Sequence, residues 1–208
     1  MNPIPQYYDI VDAVRDQQQF LDLAISLGDI VPTSNGELIQ QLRTKDKKEA
    51  KPNSLSSKYG MGAFPMHTDT AFHHTPAKCI LLRAAGEDFE RETTILTFDS
   101  LFENTEDDFE ADFLRSRWLV SKVYKPFYVS GSINNMGWRY DSECMKPINA
   151  SAKKVNEYMK NLDLKHIVQS IQWSYGRVAI INNWNCLHGR GLLRRLDKDR
   201  LIERIYIA

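Results

Sequence analysis

Apolar residues recur at helical spacing in four parts of the chain. Over 12–27, Val14, Leu21, Ala24 and Ile25 keep close to the 3.6-residue period, and Gly28 follows as a stop signal. Leu38, Ile39 and Leu42 predict a second, short helix. Phe109, Phe113 and Leu114 predict a third beyond Thr105 and Asp108, and Val155, Tyr158, Met159 and Leu162 a fourth opened by Ser151. Elsewhere the pattern shortens to runs rich in β-branched and aromatic residues, at 80–82, 93–98, 118–129, 167–173, 178–181 and 201–207. Short strands from distant parts of the sequence predict a mainly β fold with flanking helices, a sandwich or barrel buttressed by N-terminal helices over about residues 10–45. The polar stretch 44–54 reads as a solvated loop, either a lid or a linker.

Composition narrows the class. The chain has 208 residues, 42% of them hydrophobic, which predicts one globular domain spanning 1–208 with a sizeable core. Lys plus Arg and Asp plus Glu number 27 each, so the broad charge that a nucleic-acid or anionic-membrane binder relies on is missing. A partner must be sought at a local site, and a small molecule is the expected one. No apolar run approaches a membrane span and the first residues lack the basic and apolar parts of a secretory signal, so a cytoplasmic location is expected. Cys79, Cys144 and Cys186 form no CxxC pair and are expected to be small buried apolar residues. Nothing in the pattern speaks to oligomeric state.

Candidate chemistry concentrates in three segments. In the first, 64–72, His67 and Asp69 are two apart and on an extended strand would point to one side. An imidazole and a carboxylate so placed can supply two ligands to a divalent metal, although the same tripeptide also occurs in exposed turns. In the second, a buried-looking strand after Gly176 runs into His188, which is followed by Gly189 and Arg190. In the third, Arg200 and Arg204 are four apart on the last strand. If they face inward they need anionic partners, and a dicarboxylate would satisfy one of them; strand alternation leaves open whether they face the interior or water. His73 and His74 are neighbours whose side chains diverge on a strand, and both are expected at the surface or in support of the site. His166 has no recognisable partner, and Trp138, Trp173 and Trp184 are expected in the core.

Taken in order, His67-x-Asp69, His188 and Arg200 resemble the Fe(II)/2-oxoglutarate-dependent dioxygenases of the taurine dioxygenase and clavaminate synthase-like superfamily. The resemblance runs from about Leu21 onward and includes the segment 62–72, Pro76, Thr94, Leu187-His188-Gly189-Arg190 and Arg200-x-x-x-Arg204. It implies a double-stranded β-helix, the jelly-roll or cupin-like barrel, with His67, Asp69 and His188 as iron ligands. It further implies that Arg200 and Thr94 hold the distal carboxylate of 2-oxoglutarate, and that O2 is the oxidant. Arg204 matches a position that contacts either the cosubstrate region or an anionic substrate, and Arg139, more loosely, one that engages a substrate carboxylate. A carboxylate at Asp69 favours hydroxylation, desaturation or cyclisation over halogenation, since related halogenases have a small residue there. The substrate expected is small and anionic or zwitterionic, such as an amino acid or derivative. Two other readings of the ligand set are a non-redox metal barrel, such as a zinc hydrolase, and a non-catalytic sensor or interaction domain.

Overall fold

The computed structural model describes residues 2–43, 47–50, 54–86, 90–105, 108–121, 123–191 and 200–208. In chain order its elements are β1 (Tyr8–Val11), α1 (Gln17–Leu27), β2 (Ile30–Val31), β3 (Gln40–Arg43), α2 (Leu55–Tyr59), β4 (Phe64–His67), β5 (Cys79–Ala84), β6 (Thr93–Thr97), α3 (Phe98–Glu103), α4 (Phe109–Arg115), β7 (Arg117–Val120), β8 (Phe127–Ser130), β9 (Met145–Pro147), α5 (Ala150–Asn161), β10 (Gln169–Ile171), β11 (Val178–Asn182), β12 (Cys186–Arg190) and β13 (Leu201–Ile207). All strand pairs are antiparallel. The first sheet runs β1-β11-β5-β13-β2, with β3 also on β13; the second runs β10-β6-β12-β4; a small third sheet runs β8-β7-β9. Among the described residues no helix is long and apolar enough to cross a membrane.

Side-chain alternation explains how the layers stack. On β5, Ile80, Leu82 and Ala84 join one apolar cluster, while Cys79 and Leu81 join another; on β11, Ala179 and Ile181 divide from Val178 and Ile180 in the same way. Both faces of these strands are therefore buried, which is why they read as continuous apolar runs rather than as alternating ones. The inner cluster is shared with Ile95 and Cys186 of the second sheet, so it lies between the two sheets. The outer cluster takes Phe20, Ala24 and Leu27 from one stripe of α1. Asp16 caps that helix by accepting from the Gln19 N–H, and its end is at Gly28 as expected. On the far side of the second sheet, Met66, Leu96 and Leu187 meet Phe98 and Leu101 of α3, Phe109 and Phe113 of α4 and Val155 of α5.

Several sequence expectations are corrected here. Leu38, Ile39 and Leu42 do not form a helix. The segment containing them includes β3, which pairs with β13 from Leu201↔Arg43 to Arg204↔Gln40, so the need to cover an open strand edge overrides a three-residue periodicity. The N-terminal buttress is thus one helix, α1, flanked by short strands. The run 118–129 is two strands, and 167–173 contains only the three residues of β10. Of the loop 44–54, residues 44–46 and 51–53 lie outside the described residues. The three cysteines are buried and form no disulfide, and burial pushes the thiols of Cys79 and Cys186 up to about 12.

One polar contact crosses the outer core. Arg83 and Glu203 sit directly opposite on β5 and β13, 3% and 2% exposed, with Arg83 Nε and Nη2 donating to Glu203 Oε2 at 3.1 and 2.6 Å. Gln17 of α1 donates to the other carboxylate oxygen at 2.6 Å, and Arg83 Nη1 donates to the Val14 carbonyl at 3.2 Å. Removing one partner of such a buried pair leaves the other charge uncompensated. Glu203→Ala is expected to lower unfolding stability by about 3–5 kcal/mol in urea titrations, and Gln17→Ala by about 1 kcal/mol.

Candidate metal centre and its cavity

The two ends of the candidate site meet because β4 pairs with β12. His67 lies opposite His188 across this pair, and their rings are 4.4 Å apart between centroids. Gly189 permits the close packing of β12 between its neighbours. A Cβ there would come within 2.8 Å of Met66 Sδ, 2.9 Å of Thr94 Oγ1 and 3.0 Å of the Phe64 carbonyl. The glycine after the histidine therefore has a steric reason that sequence alone does not supply.

Asp69 stands just past the end of β4. Its Oδ1 is 3.7 Å from His67 Nε2 and its Oδ2 is 3.7 Å from His188 Nε2. One ligand atom from each of the three residues lies within 4.8 Å of the others, and all three residues are buried. The backbone at Asp69 is held by Asn183, whose Oδ1 accepts from the Asp69 N–H at 2.9 Å and whose Nδ2 donates to the Asp69 and Ala77 carbonyls at 3.0 and 2.7 Å. The next residue, Thr70, has φ +56°, unusual for a β-branched side chain. Its hydroxyl donates to the Asp69 carbonyl at 2.6 Å and accepts from the Ala77 N–H at 2.8 Å, which fixes the turn.

The protonation states of Asp69 and His188 suit a cation. Burial works to raise the Asp69 pKa, but the Arg204 guanidinium and the two histidines outweigh it and hold the carboxyl well below the usual range. Burial, with His67 beside it, pushes His188 down to about 3, so its imidazole is neutral at physiological pH. His67 is opposed by burial yet shifted upward by Asp69 and Asp141. Its Nδ1 lies 2.9 Å from the Pro65 carbonyl; with the proton on Nδ1 it donates there and leaves Nε2 for a ligand bond. Two imidazoles and one carboxylate, buried and converging, are the donor set that binds a divalent transition metal while leaving other coordination positions open.

Alternation on β13 resolves the orientation of the arginines. Ile202 belongs to the inner cluster, whereas Ile205 and Ile207 belong to the outer one, so both faces of the strand are core. Arg204 and Tyr206 share the inner face with Ile202, and with Arg200, just before the strand, they line the same cavity as the three candidate ligands, which has a volume of about 1160 Å³. Arg204 donates through Nη1 to Asp69 Oδ2 at 2.6 Å, and through Nε and Nη2 to Gln40 Oε1 at 3.2 and 2.6 Å. The Tyr206 ring lies 4.7 Å from its guanidinium carbon. Arg204 therefore braces Asp69 directly, a contact the sequence reading did not foresee, and Gln40 was missed because its segment reads as helical.

Two other expected positions are revised. Thr94 pairs with Gly189 and turns outward with Leu96, its hydroxyl 3.5 Å from Met66 Sδ. Thr93 is the threonine on the cavity wall; it lies opposite Arg190 and accepts from Trp173 Nε1 at 3.2 Å. Periodicity cannot separate adjacent threonines; the structure does, because Thr93 shares its face with Ile95 of the inner cluster and Thr94 with Leu96 on the far side of the sheet. Arg139 does not line the cavity. Its guanidinium is buried against main-chain carbonyls at Ala71, His73 and His74. His73 and Trp184 are on the cavity wall, whereas His74 stacks on Phe127 at 3.9 Å and His166 is exposed. Ala50 and Ser54 also reach this wall, from the loop read as a lid or linker, and Asp141 and Glu143 add acidic groups to it.

No family model matches the sequence, and no curated protein matches it. Solved structures do match in shape. An asparagine oxygenase in complex with Fe(II), 2S,3S-3-hydroxyasparagine and succinate superposes with a TM-score of 0.73 at 16% identity, over 90% of this chain and 63% of that one. The fold is that of the Fe(II)/2-oxoglutarate oxygenases. A point mutant of the non-heme iron oxygenase OrfP in complex with (3S)-hydroxy-L-arginine gives 0.68 at 16% identity, over 92% of this chain and 65% of that one. PvcB from Pseudomonas aeruginosa, an Fe, α-ketoglutarate-dependent oxygenase of an isonitrile synthetic pathway, gives 0.69 at 12% identity, over 97% and 75%. This chain thus spans less than two thirds of the asparagine oxygenase and of OrfP.

The geometry predicts one divalent-metal site. Calorimetric titration with Co(II) under nitrogen is expected to give one site per chain, weakened by more than about 100-fold in Asp69→Ala and in His188→Ala. His74→Ala and His166→Ala are expected to leave it unchanged.

Proposed function

We propose that the protein is an Fe(II)- and 2-oxoglutarate-dependent oxygenase, built as a double-stranded β-helix, that oxidises a small amino acid or derivative. The observation that supports this most is the convergence of His67, Asp69 and His188 on a cavity whose wall also holds Arg200 and Thr93. Fe(II) bound by the three ligands, with 2-oxoglutarate beside it, supplies the capacity to activate O2 and oxidise a C–H bond, with release of succinate and CO2.

The chain's own contribution is binding, orientation and exclusion of water. His67 is turned by the Pro65 carbonyl so that Nε2 faces the metal position, and Asp69 is set by Asn183 below and Arg204 beside it. Arg204 occupies one carboxylate oxygen of Asp69, so the other would be the donor available to a metal held there. That keeps the remaining coordination positions open to reactants. Arg200, buried on the same cavity wall, presents a planar fork suited to the distal carboxylate of 2-oxoglutarate, and the Thr93 hydroxyl is the second group for that duty. Basic and acidic side chains both line the cavity, the acidic ones including Asp141 and Glu143, and this fits a zwitterionic substrate better than a purely anionic one. The asparagine and arginine products held by the similar structures point to the same class. Hydroxylation is the simplest outcome, with desaturation or cyclisation as variants of the same hydrogen removal.

An anaerobic titration of the protein with Fe(II) and 2-oxoglutarate, followed by the weak visible charge-transfer band, tests this reading. The band is expected in the wild type, with 2-oxoglutarate affinity reduced by about 10-fold or more in Arg200→Ala and in Thr93→Val, and unchanged in Thr94→Val. Metal-loaded, folded protein without the band would favour a non-redox metal site instead.

A further inference from the structure

Arg139 is 3% exposed and belongs to none of the groups assigned above. Its hydrogen bonds go to main-chain carbonyls: Nη1 donates to Ala71 at 3.4 Å and to His73 at 2.7 Å, and Nη2 donates to His74 at 2.8 Å. The charged side chain is thus buried against oxygen dipoles of one loop. A guanidinium, with five donors in a fixed plane, can span carbonyls from several residues at once, which an ammonium group does less well.

The loop it grips leads directly away from Asp69. The two ends of that loop have their own fastenings: Thr70 and Asn183 tie residues 69, 70 and 77 together, and Trp184 Nε1 donates to the Pro76 carbonyl at 3.1 Å. The tip, 71–74, is held by the three Arg139 bonds, the His73 N–H to the Thr70 carbonyl and the His74 stack on Phe127. Phe72 and His73 at this tip line the same cavity as Asp69. Arg139 is itself anchored beside the ligand strand. Its N–H donates to the Gly131 carbonyl at 2.7 Å, and the following residue, Tyr140, pairs with Thr68 through N–H to Oγ1 at 3.1 Å and carbonyl to N–H at 2.8 Å.

We propose that Arg139 is a positioning residue that fixes the Phe72–His73 wall of the cavity, acting on the substrate side of the centre and not on the metal or the 2-oxoglutarate side. The assignment of those sides rests on the oxygenase reading; the clamp on the loop does not. A second buried arginine uses the same device at the other end of the ligand strand. Arg190 Nη2 donates to the Gly60 and Gly62 carbonyls at 2.6 and 2.8 Å, so β4 is fastened on both flanks by guanidinium-to-carbonyl contacts.

Amide hydrogen exchange of the full-length protein, read by peptide, tests the clamp in Arg139→Lys and Arg139→Gln. The proposal expects exchange over 71–75 to accelerate at least ten-fold in Arg139→Gln and by less in Arg139→Lys, with β4, β6 and β12 unchanged. The anaerobic Fe(II) and 2-oxoglutarate band should keep its position, and both affinities should stay within two-fold of wild type. Unchanged exchange over 71–75 overturns the proposal, as does loosening that spreads through β4 and β12 or a parallel loss of metal affinity, since either makes Arg139 a general stabiliser. If Arg139→Gln fails to fold, the Arg139→Lys protein decides by the same readings. A wild type that lacks the band overturns the oxygenase reading and leaves the exchange result to judge the clamp.

Discussion

The arrangement depends on one buried carboxylate. Asp69 lies between two imidazoles and the Arg204 guanidinium, with its backbone held by Asn183; His67 comes from β4 just before it, Asn183 and His188 from the 183–188 segment and Arg204 from the last strand. A buried anion is costly unless it is surrounded in this way. Here the surrounding groups leave the carboxylate ionised and one histidine neutral, the states in which both donate to a metal. The β4–β12 pairing, the glycine that lets β12 pack closely and the threonine held at positive φ all serve to keep that carboxylate in place.

Strands buried on both faces make such a site possible. The first sheet packs its outer face under α1 and its inner face against the second sheet, so inward side chains are shielded without a thick helical cover over the site. The last strand shows the consequence most clearly. Its isoleucines stabilise both cores while Arg204, and Arg200 just before the strand, take cavity positions that would be prohibitively polar in an ordinary interior. Guanidiniums recur where this architecture needs a charge or a carbonyl brought to order: Arg83 ties the segment leading into α1 to the sheet, while Arg139 and Arg190 hold the two flanks of β4.

Spacing alone offered His67 and Asp69 as a candidate pair, whereas His188 joined them only through the family resemblance. His67 and Asp69 are two apart, and His188 follows a strand that reads clearly. Strand alternation on the double-buried segments was legible only as apolar runs, since period-two contrast disappears when both faces are covered. For the same reason the choice between Thr93 and Thr94 needed the register of β6 against β12. Gln40 escaped notice because three apolar residues at 38, 39 and 42 satisfy a helical period, and only pairing with β13 shows that this segment is a strand. Arg139 was noticed, but its partners are backbone carbonyls, which leave no trace in a sequence pattern.

The central claim is that residues 67, 69 and 188 grip one ferrous ion. X-ray absorption at the iron edge of the anaerobically loaded protein tests it most directly. Two imidazoles in a shell otherwise made of oxygen donors are expected, falling to one imidazole in His188→Ala. A shell without imidazole, or one containing a sulfur donor, would contradict the account.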